Sequence, residues 1–487
     1  MKLPELLLPA GDIKKAYYAF EYGADAIYCG VPMFALRTRA NVFTEKDIAE
    51  IIDFANKNGK KVYITLNGFP HQNMIPALRK HLEFLKNAKP HGIILADAGV
   101  LGLANEICSD IDKHLSVQAS TVSESGIRFW AKNGVKRIIL AREIAIKEVK
   151  KIHEMFPEIE LEYFVHGAVC MAYSGRCLLS NFMAQRDANR GMCAHSCRWN
   201  YQVFDEEGRK FDLSEREKTQ KEDGNLEGQE SFLPGFIVDS IDGKPISIRE
   251  FEKTHIWEEE QRMGEFIPVE QDIHGTHIMS SRDMCMIEYL KEIIDSGVCS
   301  LKVEGRNKTF YYAISVARAY RKALDDIAEG KEFDKNLWKE IHATANRGFF
   351  AGFVNGKPKS EGQQYEANRS TADFEFAGVV VNKIGKGYIV GDGDFFGFPK
   401  GHKFEENFLI VEPKNRIEKN SELILVGKKI PDDKKFFVEK IIFGGNEADV
   451  LHGGNGNGLI GVSDEIFETA KEGSILRQVV KNEGLKK

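Results

Sequence analysis

Cys170, Cys177, Cys193 and Cys197 make up four of the eight cysteines in the chain, with six, fifteen and three residues between them. Thiolates gathered this closely are soft ligands, suited to zinc or to an iron–sulfur cluster. Gly167, Gly175 and Gly191 lie beside them and let the backbone fold tightly around a bound group. Zinc ribbons usually carry two short Cys–Cys knuckles, and only Cys193 and Cys197 resemble one. Cluster ligands are more irregularly spaced, which favours iron–sulfur, although the spacing by itself leaves the metal open. Two plainer readings compete. Free cysteines are among the most buried residue types and can simply fill a core. Disulfides are the other, but the opening MKLPELLLPAG is too short an apolar run for a secretory signal, and a chain of 487 residues needs no staples.

The elements that must position this loop are written as short apolar runs alternating with helical patterning. The runs are Glu5–Leu8, Ala26–Cys29, Val62–Leu66, Gly92–Leu95, Leu115–Gln118, Arg137–Leu140 and Leu161–Val165. Between them lie helix patterns at Ile13 to Tyr22, after a Thr44 cap, at Pro76 to Leu85 and at Ile144 to Met155. The pattern resumes with a helix from Ser281 to Ser296, an eighth strand at Leu301–Val303, and helices at Phe310 to Ala328 and near Asp334 to Ala345. Alternation of this kind implies parallel pairing through βαβ crossovers. Eight such strands predict an α/β fold, a (β/α)8 TIM-like barrel over residues 1–355, with a doubly wound open sheet as the alternative.

Two stretches break the rhythm. Residues 205–271 are charged, glycine-rich and without period, and read as an insertion beyond the cysteine loop 166–199 that decorates or covers the site, with disorder over part of it as an equal alternative. A linker at 356–371, rich in Gly, Lys, Gln and Ser, leads into residues 372–487. There FEFAGVVVN, GYIVGDG, NFLIVEP and KKFFVEKIIFGG are short strands with turn punctuation, which predicts a small C-terminal antiparallel β-barrel domain.

Active sites of (β/α)8 barrels gather at the C-terminal strand ends. Asn67, Asp97, Gln118, Arg142, His166, Glu304 and Arg306 end or follow the third to eighth strands, on the face from which the cysteine loop departs. His166, Gln118 and Glu304 have the side chains for acid–base or orienting work. Arg142 and Arg306 suit carboxylates, with Lys302 a lesser candidate because it sits within its strand. Asn67 and Arg37 are further substrate-binding candidates, and Arg39, Arg186 and Arg190 join Arg37 as possible phosphate holders around that face. Phe34, Tyr173 and Trp199 are suited to stack on a base. The plain alternatives are ion pairs (Arg142 with Glu143, Arg306 with Glu304), loop caps, core aromatics and solvated surface.

Hydrophobic content of 43% and charged content of 29% are those of a soluble globular protein. No apolar run is long enough to span a membrane. The formal charge of −6 argues against a passive nucleic-acid coat but leaves room for a local basic channel. With no targeting segment apparent, the cytoplasm is the expected compartment.

The blocks LLLPAGD, GADAIYCG, SVQAS, SLKVEGR and FVHGA, together with the Cys170–Cys177 segment, resemble those shared by the collagenase-like peptidases, the family numbered thirty-two of unknown catalytic type. RDANRGMCAHSCRW, HGTHIMSSRDM, VEGRNKTFYYA and the separate C-terminal β domain are similar to the branch of that family that hydroxylates tRNA. The likeness covers nearly the whole chain. It implies a prephenate-dependent enzyme that hydroxylates carbon 5 of the wobble uridine, with the tRNA anticodon stem-loop as partner. It also implies a [4Fe–4S] cluster on Cys170, Cys177, Cys193 and Cys197, and cationic partners for the two carboxylates of prephenate, for which Arg142 and Arg306 are the candidates. Cys285 departs from the expected pattern and reads either as a fifth claimant to the cluster or, the favoured reading, as a spare core thiol on a helix, like the isolated Cys29, Cys108 and Cys299.

Two other functions stand beside this one. A peptidase would need H-E-x-x-H or G-x-S-x-G, and neither occurs; a cysteine nucleophile served by His166 or His195 is what remains. A zinc-bound, non-catalytic RNA-binding protein is the third.

Overall fold

The computed structural model describes residues 3–36, 42–170, 172–184, 186–190, 192–198, 281–358, 362, 372–391 and 396–480, and the backbone of three strands between 255 and 277. Eight parallel strands form the first domain: β1 (Glu5–Pro9), β2 (Ala26–Cys29), β3 (Lys61–Leu66), β4 (Gly92–Leu95), β5 (Lys113–Leu115), β6 (Val135–Ile139), β7 (Glu160–Ala168) and β8 (Ser300–Val303). They pair in chain order, and β8 hydrogen-bonds to both β7 and β1, which closes the barrel. β2 and β4 are buried at every residue, because helices cover the outside while side chains from the other strands fill the inside.

The crossover helices follow from local sequence. In Glu45–Lys57 the buried residues Ile48, Ile51, Ile52 and Ala55 recur at helical spacing, so one apolar stripe meets the sheet. Thr44 starts that helix with a full capping box, its hydroxyl accepting the Asp47 N–H while the Asp47 carboxylate accepts the Thr44 N–H.

Below its mouth the barrel interior carries charge. Glu162 and Lys302 are paired at 2.6 Å, and Arg137 reaches Glu162 at 3.2 Å, Glu5 at 2.8 Å and Glu160 at 2.7 Å. Glu162 is wholly buried and Arg137 and Lys302 are each 4% exposed, so this network is held together by its own partners rather than by water.

Two expectations needed revision. The fifth strand ends at Leu115, and Gln118 lies in the following 3-10 turn, where the Ser116 hydroxyl accepts its N–H. Residues from Ser281 to Ser296 are not one helix: Asp283–Cys285 is a strand, and only Leu290–Asp295 is α-helical. That strand pairs antiparallel with the end of β7 and parallel with Phe349–Phe350, contacts remote in sequence that no local period reports. Cys285 is therefore on an annexed strand, not a helix.

Within the insertion, residues 205–254 lie outside the described residues. His255–Glu258, Phe266–Asp272 and Gly275–His277 form a three-stranded antiparallel sheet.

The C-terminal domain is an eight-stranded antiparallel sheet curled around its own core. Its long strand Phe374–Ile384 shifts register twice, and such bulges bend a strand enough to curl the sheet. The domain docks on the barrel through the helix Phe310–Ala328. Tyr311 stacks on Phe376, and Arg318 and Arg477 each bridge Glu340 and Asp433 at 2.6–2.9 Å. Among the described residues no helix is long and apolar enough to cross a membrane.

Candidate active site at the barrel mouth

A cavity of about 280 Å³ lies at the C-terminal end of the barrel. Strand residues form its floor, and the cysteine loop forms its roof. Cys170, Cys177, Cys193 and Cys197 all line it, as do Asn67, Gln118, Arg142, Lys302, Glu304 and Arg306. The sheet closure brings these groups together from positions spread over most of the barrel domain.

The floor is cationic. Arg142, Lys302 and Arg306 are 7%, 4% and 5% exposed. The Arg142 guanidinium lies 4.0 Å over the Phe164 ring, and its buried Nε has no hydrogen-bond partner among the described residues. Glu143, its neighbour in sequence, turns instead to the loop and accepts the Ser174 N–H at 2.7 Å and hydroxyl at 2.6 Å. Arg306 donates to Thr65 Oγ1 at 3.2 Å and lies over the Tyr28 ring. Lys302 Nζ sits 4.2 Å over the same ring while held by Glu162. Burial pulls the Lys302 ammonium below the usual lysine range, and Glu162 opposes that pull. Three buried cations thus converge on the cavity, with Glu162 beneath Lys302 and Glu304 on the same lining.

Glu304 owes its place to two glycines. Gly167 has φ +110°, and a Cβ there would stand 2.5 Å from the Glu304 carbonyl oxygen; Gly305 has φ +151° and abuts Tyr312. The Glu304 N–H donates to the His166 carbonyl at 2.8 Å, and Tyr312 OH donates to the Glu304 carbonyl at 2.8 Å. Asn67 donates to Ser116 Oγ at 3.2 Å and accepts the Leu36 N–H at 3.1 Å.

The roof is pinned by side chains of the loop itself. Asn189 accepts the Cys177 N–H at 3.3 Å, donates to the Cys177 carbonyl at 3.1 Å, and accepts from Gln118 Nε2 at 3.3 Å. Arg176 Nε donates to the Gln118 carbonyl at 2.9 Å. Ser180 Oγ donates to the Arg186 carbonyl at 2.6 Å and accepts the Ala194 N–H at 2.9 Å, while Arg186 donates to the Cys193 carbonyl at 3.1 Å. Among the described residues no three His, Cys, Asp or Glu side chains come close enough to share one metal ion.

His166 is not brought to the cavity. The register of β7 against β8 slips between Lys302 and Val303, and the His166 ring packs among Tyr312, Tyr320 and Phe349. Its Nδ1 is 3.3 Å from Tyr320 OH. Burial drives its pKa down to about 3, with Asp283 opposing and Lys308 assisting. Asp97 is a helix cap, accepting the Val100 N–H. Phe34 is buried against His81, and Tyr173 is half exposed. Arg37, Arg39 and Trp199 lie outside the described residues.

Lys302, ranked below the arginines on sequence, lines the cavity with them, and Glu162 beneath it was not among the candidates. The signal was present: each is a lone charge in an otherwise apolar run, SLKV and LEYFV, and a charge within a barrel strand must find a partner inside. Asn189 gave no such signal, since its role depends on where the loop returns.

Cys285 is buried 3.7 Å from Tyr320 OH, its thiol pushed up to about 12 by burial, and it does not line the cavity.

A family model described as peptidase family U32 matches residues 11–364. The chain is 37% identical over 435 residues to tRNA hydroxylation protein P of Haemophilus influenzae, covering 85% of this chain and 89% of that protein. It is 39% identical over 370 residues to tRNA hydroxylation protein P of Escherichia coli, covering 76% and 78%. A protein of Porphyromonas gingivalis named collagenase is 28% identical over 371 residues, covering 73% and 75%. The likeness read from the sequence blocks thus extends through the barrel and the cysteine loop alike, and the chain belongs to peptidase family U32.

Proposed function

We propose that this protein is an RNA hydroxylase that converts the wobble uridine of tRNA to 5-hydroxyuridine. In this reading prephenate binds in the cavity, and a [4Fe–4S] cluster is held by Cys170, Cys177, Cys193 and Cys197. The observation that carries the proposal is the meeting of four thiols and three buried cations in one enclosed cavity. The names of the relatives from Haemophilus influenzae and Escherichia coli supply the RNA and the reaction type.

The donor set fits a cluster better than a single zinc ion. Zinc draws four thiolates to about 2.3 Å from one point, whereas thiols at the corners of a cluster stand farther apart. All four cysteines line one cavity, where either group would sit, and their irregular spacing along the chain favours the cluster. When bound, the cluster supplies one-electron chemistry and fixes the loop over the barrel mouth.

The residues of the chain take defined parts. Arg142 and Arg306 receive the prephenate carboxylates, Arg142 with the Nε that has no hydrogen-bond partner among the described residues. Lys302 adds charge from the floor. Asn67 and Gln118 orient the ligand, and Glu304 holds a proton acceptor at the cavity edge. His166 has no contact with this space in its present packing and acts from behind the wall, by fixing the ends of β7 and β8. The target base reaches the cavity from a loop whose bases are already partly unstacked, which lowers the cost of extrusion.

A peptidase is the weaker reading. Its base would be His166 or His195, but His166 is buried away from the thiols, and the four thiols line a common space that a ligand role uses in full.

The test is nucleoside mass spectrometry on total tRNA from cells with and without the gene. Loss of 5-hydroxyuridine and its derivatives, restored by the wild type and not by Cys177→Ser, supports the proposal. An unchanged nucleoside profile in a strain with no second route to the same nucleoside rejects it.

A further inference from the structure

Cys177 borders two spaces. It lines the interior cavity, and it also lines a groove of about 640 Å³ on the outer face of the cysteine loop, with Phe69, His71, Arg176 and Arg190. A second reach of the groove continues past Met33 and Met192, sharing Phe69 and Arg190 with the first. The wall between groove and cavity is the Cys177 backbone with its Asn189 pin. Asn189 also receives the Phe69 N–H from the groove side, at 3.3 Å on its carbonyl.

Several exposed cations of the barrel domain stand beside carboxylates, as in Arg79–Glu106, Arg128–Glu124 and Lys57–Asp53. Arg176 donates instead to the Gln118 carbonyl, and Arg190 to Met74 Sδ at 3.8 Å. Among the described residues neither has a carboxylate within ion-pair distance. The one acid lining the groove among the described residues, Asp187, uses its Oδ1 to accept the Asn189 N–H at 2.8 Å. Interleaved with these cations are exposed flat or flexible apolar groups: Leu178 is 74% exposed, Met33 58% and Met192 38%. Arginines with no carboxylate partner among the described residues, set beside the Phe69 and His71 rings and exposed apolar side chains, complement a polyanion with exposed bases.

We propose that this groove is the track for the single-stranded RNA flanking the target base. Arg176 and Arg190 hold phosphates of neighbouring nucleotides, Phe69, His71 and Met192 receive their bases, and the target base enters the cavity beside the Cys177–Asn189 wall. The proposal rests on the RNA reading above and adds where the strand lies.

The test uses the full-length protein purified anaerobically and a fluorescein-labelled, unmodified anticodon stem-loop, followed by fluorescence anisotropy across a salt series. Arg176→Glu with Arg190→Glu is compared with Arg79→Glu with Arg128→Glu, which reverses two paired cations elsewhere. The first pair is expected to weaken binding about tenfold or more and to make the log–log salt dependence shallower by about 1.4, the share of two phosphates on a single strand. The second pair leaves both unchanged. Iron content reports whether the loop still folds, and Leu178→Glu, at a position 74% exposed, weakens binding without touching any pinning bond. Wild-type affinity and salt slope in both Arg176→Glu/Arg190→Glu and Leu178→Glu would overturn the track. So would Arg190-dependent binding of a gelatin peptide that displaces the stem-loop, which would make the groove a polypeptide site. If the wild type modifies tRNA in cells while these variants bind as it does, only the track fails. If the wild type modifies no tRNA, the function itself fails.

Discussion

Lys302 Nζ stands 2.6 Å from Glu162 Oε1 at the floor of the cavity, with the lysine 4% exposed and the glutamate fully buried. Glu162 also takes Arg137 at 3.2 Å, so the floor of the site is the top of an ion network that runs down the barrel. Lys302→Met leaves the fully buried Glu162 with Arg137 as its remaining partner among the described residues and is expected to cost on the order of 3 kcal/mol. Urea unfolding measures it. Adding Glu162→Gln to that variant should recover part of the loss, and a double variant no more stable than Lys302→Met would show that the pair is not the unit.

Arg142 is the second test of the floor. Arg142→Gln removes a charge-assisted donor, worth on the order of 2 kcal/mol, or about thirtyfold in the Kd for prephenate by calorimetry. Arg142→Lys keeps the charge but not the fork, and should fall between the two. Equal affinity in all three proteins would remove Arg142 from the anion site.

The cysteines divide into two groups by place. Ser in place of Cys170, Cys177, Cys193 or Cys197 should cut iron and sulfide content to a small fraction and bleach the visible absorption of anaerobically purified protein. Cys285→Ser should keep the colour, because that thiol faces Tyr320 behind the wall. A colourless Cys285→Ser protein would contradict the assignment.

His166 makes stability depend on pH. Its folded pKa near 3 lies below the ordinary histidine value, so between the two the unfolded chain binds the extra proton and the folded one does not. Stability from this group is complete above the ordinary value and is lost as pH falls toward 3. Between pH 7.5 and pH 5 the loss is about 2 kcal/mol. His166→Gln should be less sensitive over that range by about the same amount in urea unfolding, and identical pH slopes would mean that the ring is hydrated in solution.

Much of the barrel was written in local pattern. Strand β2 and strand β4 fall where AIYC and GIIL predict them, because a strand buried on both faces must be a short continuous apolar run. The helix Phe310–Ala328 and the Thr44 cap are equally local. The fifth strand was misplaced because it begins with Lys113, a polar residue that hides its ammonium on the carbonyls of Cys108 and Ser109. Asp283–Cys285 was missed because three residues have no period, and their structure comes from β7.

The sequence by itself determined that four thiols share one loop and that polar groups follow the strand ends. Those are properties of spacing along the chain. Only the tertiary structure decided which of those groups meet. Closure of β8 onto β1 and β7 brings Lys302, Arg142 and Arg306 under the thiols, and a one-residue slip beside β8 turns His166 away from them. The reason is geometric. In a strand a single residue of register exchanges inside for outside, and register is set by partners far away in the chain.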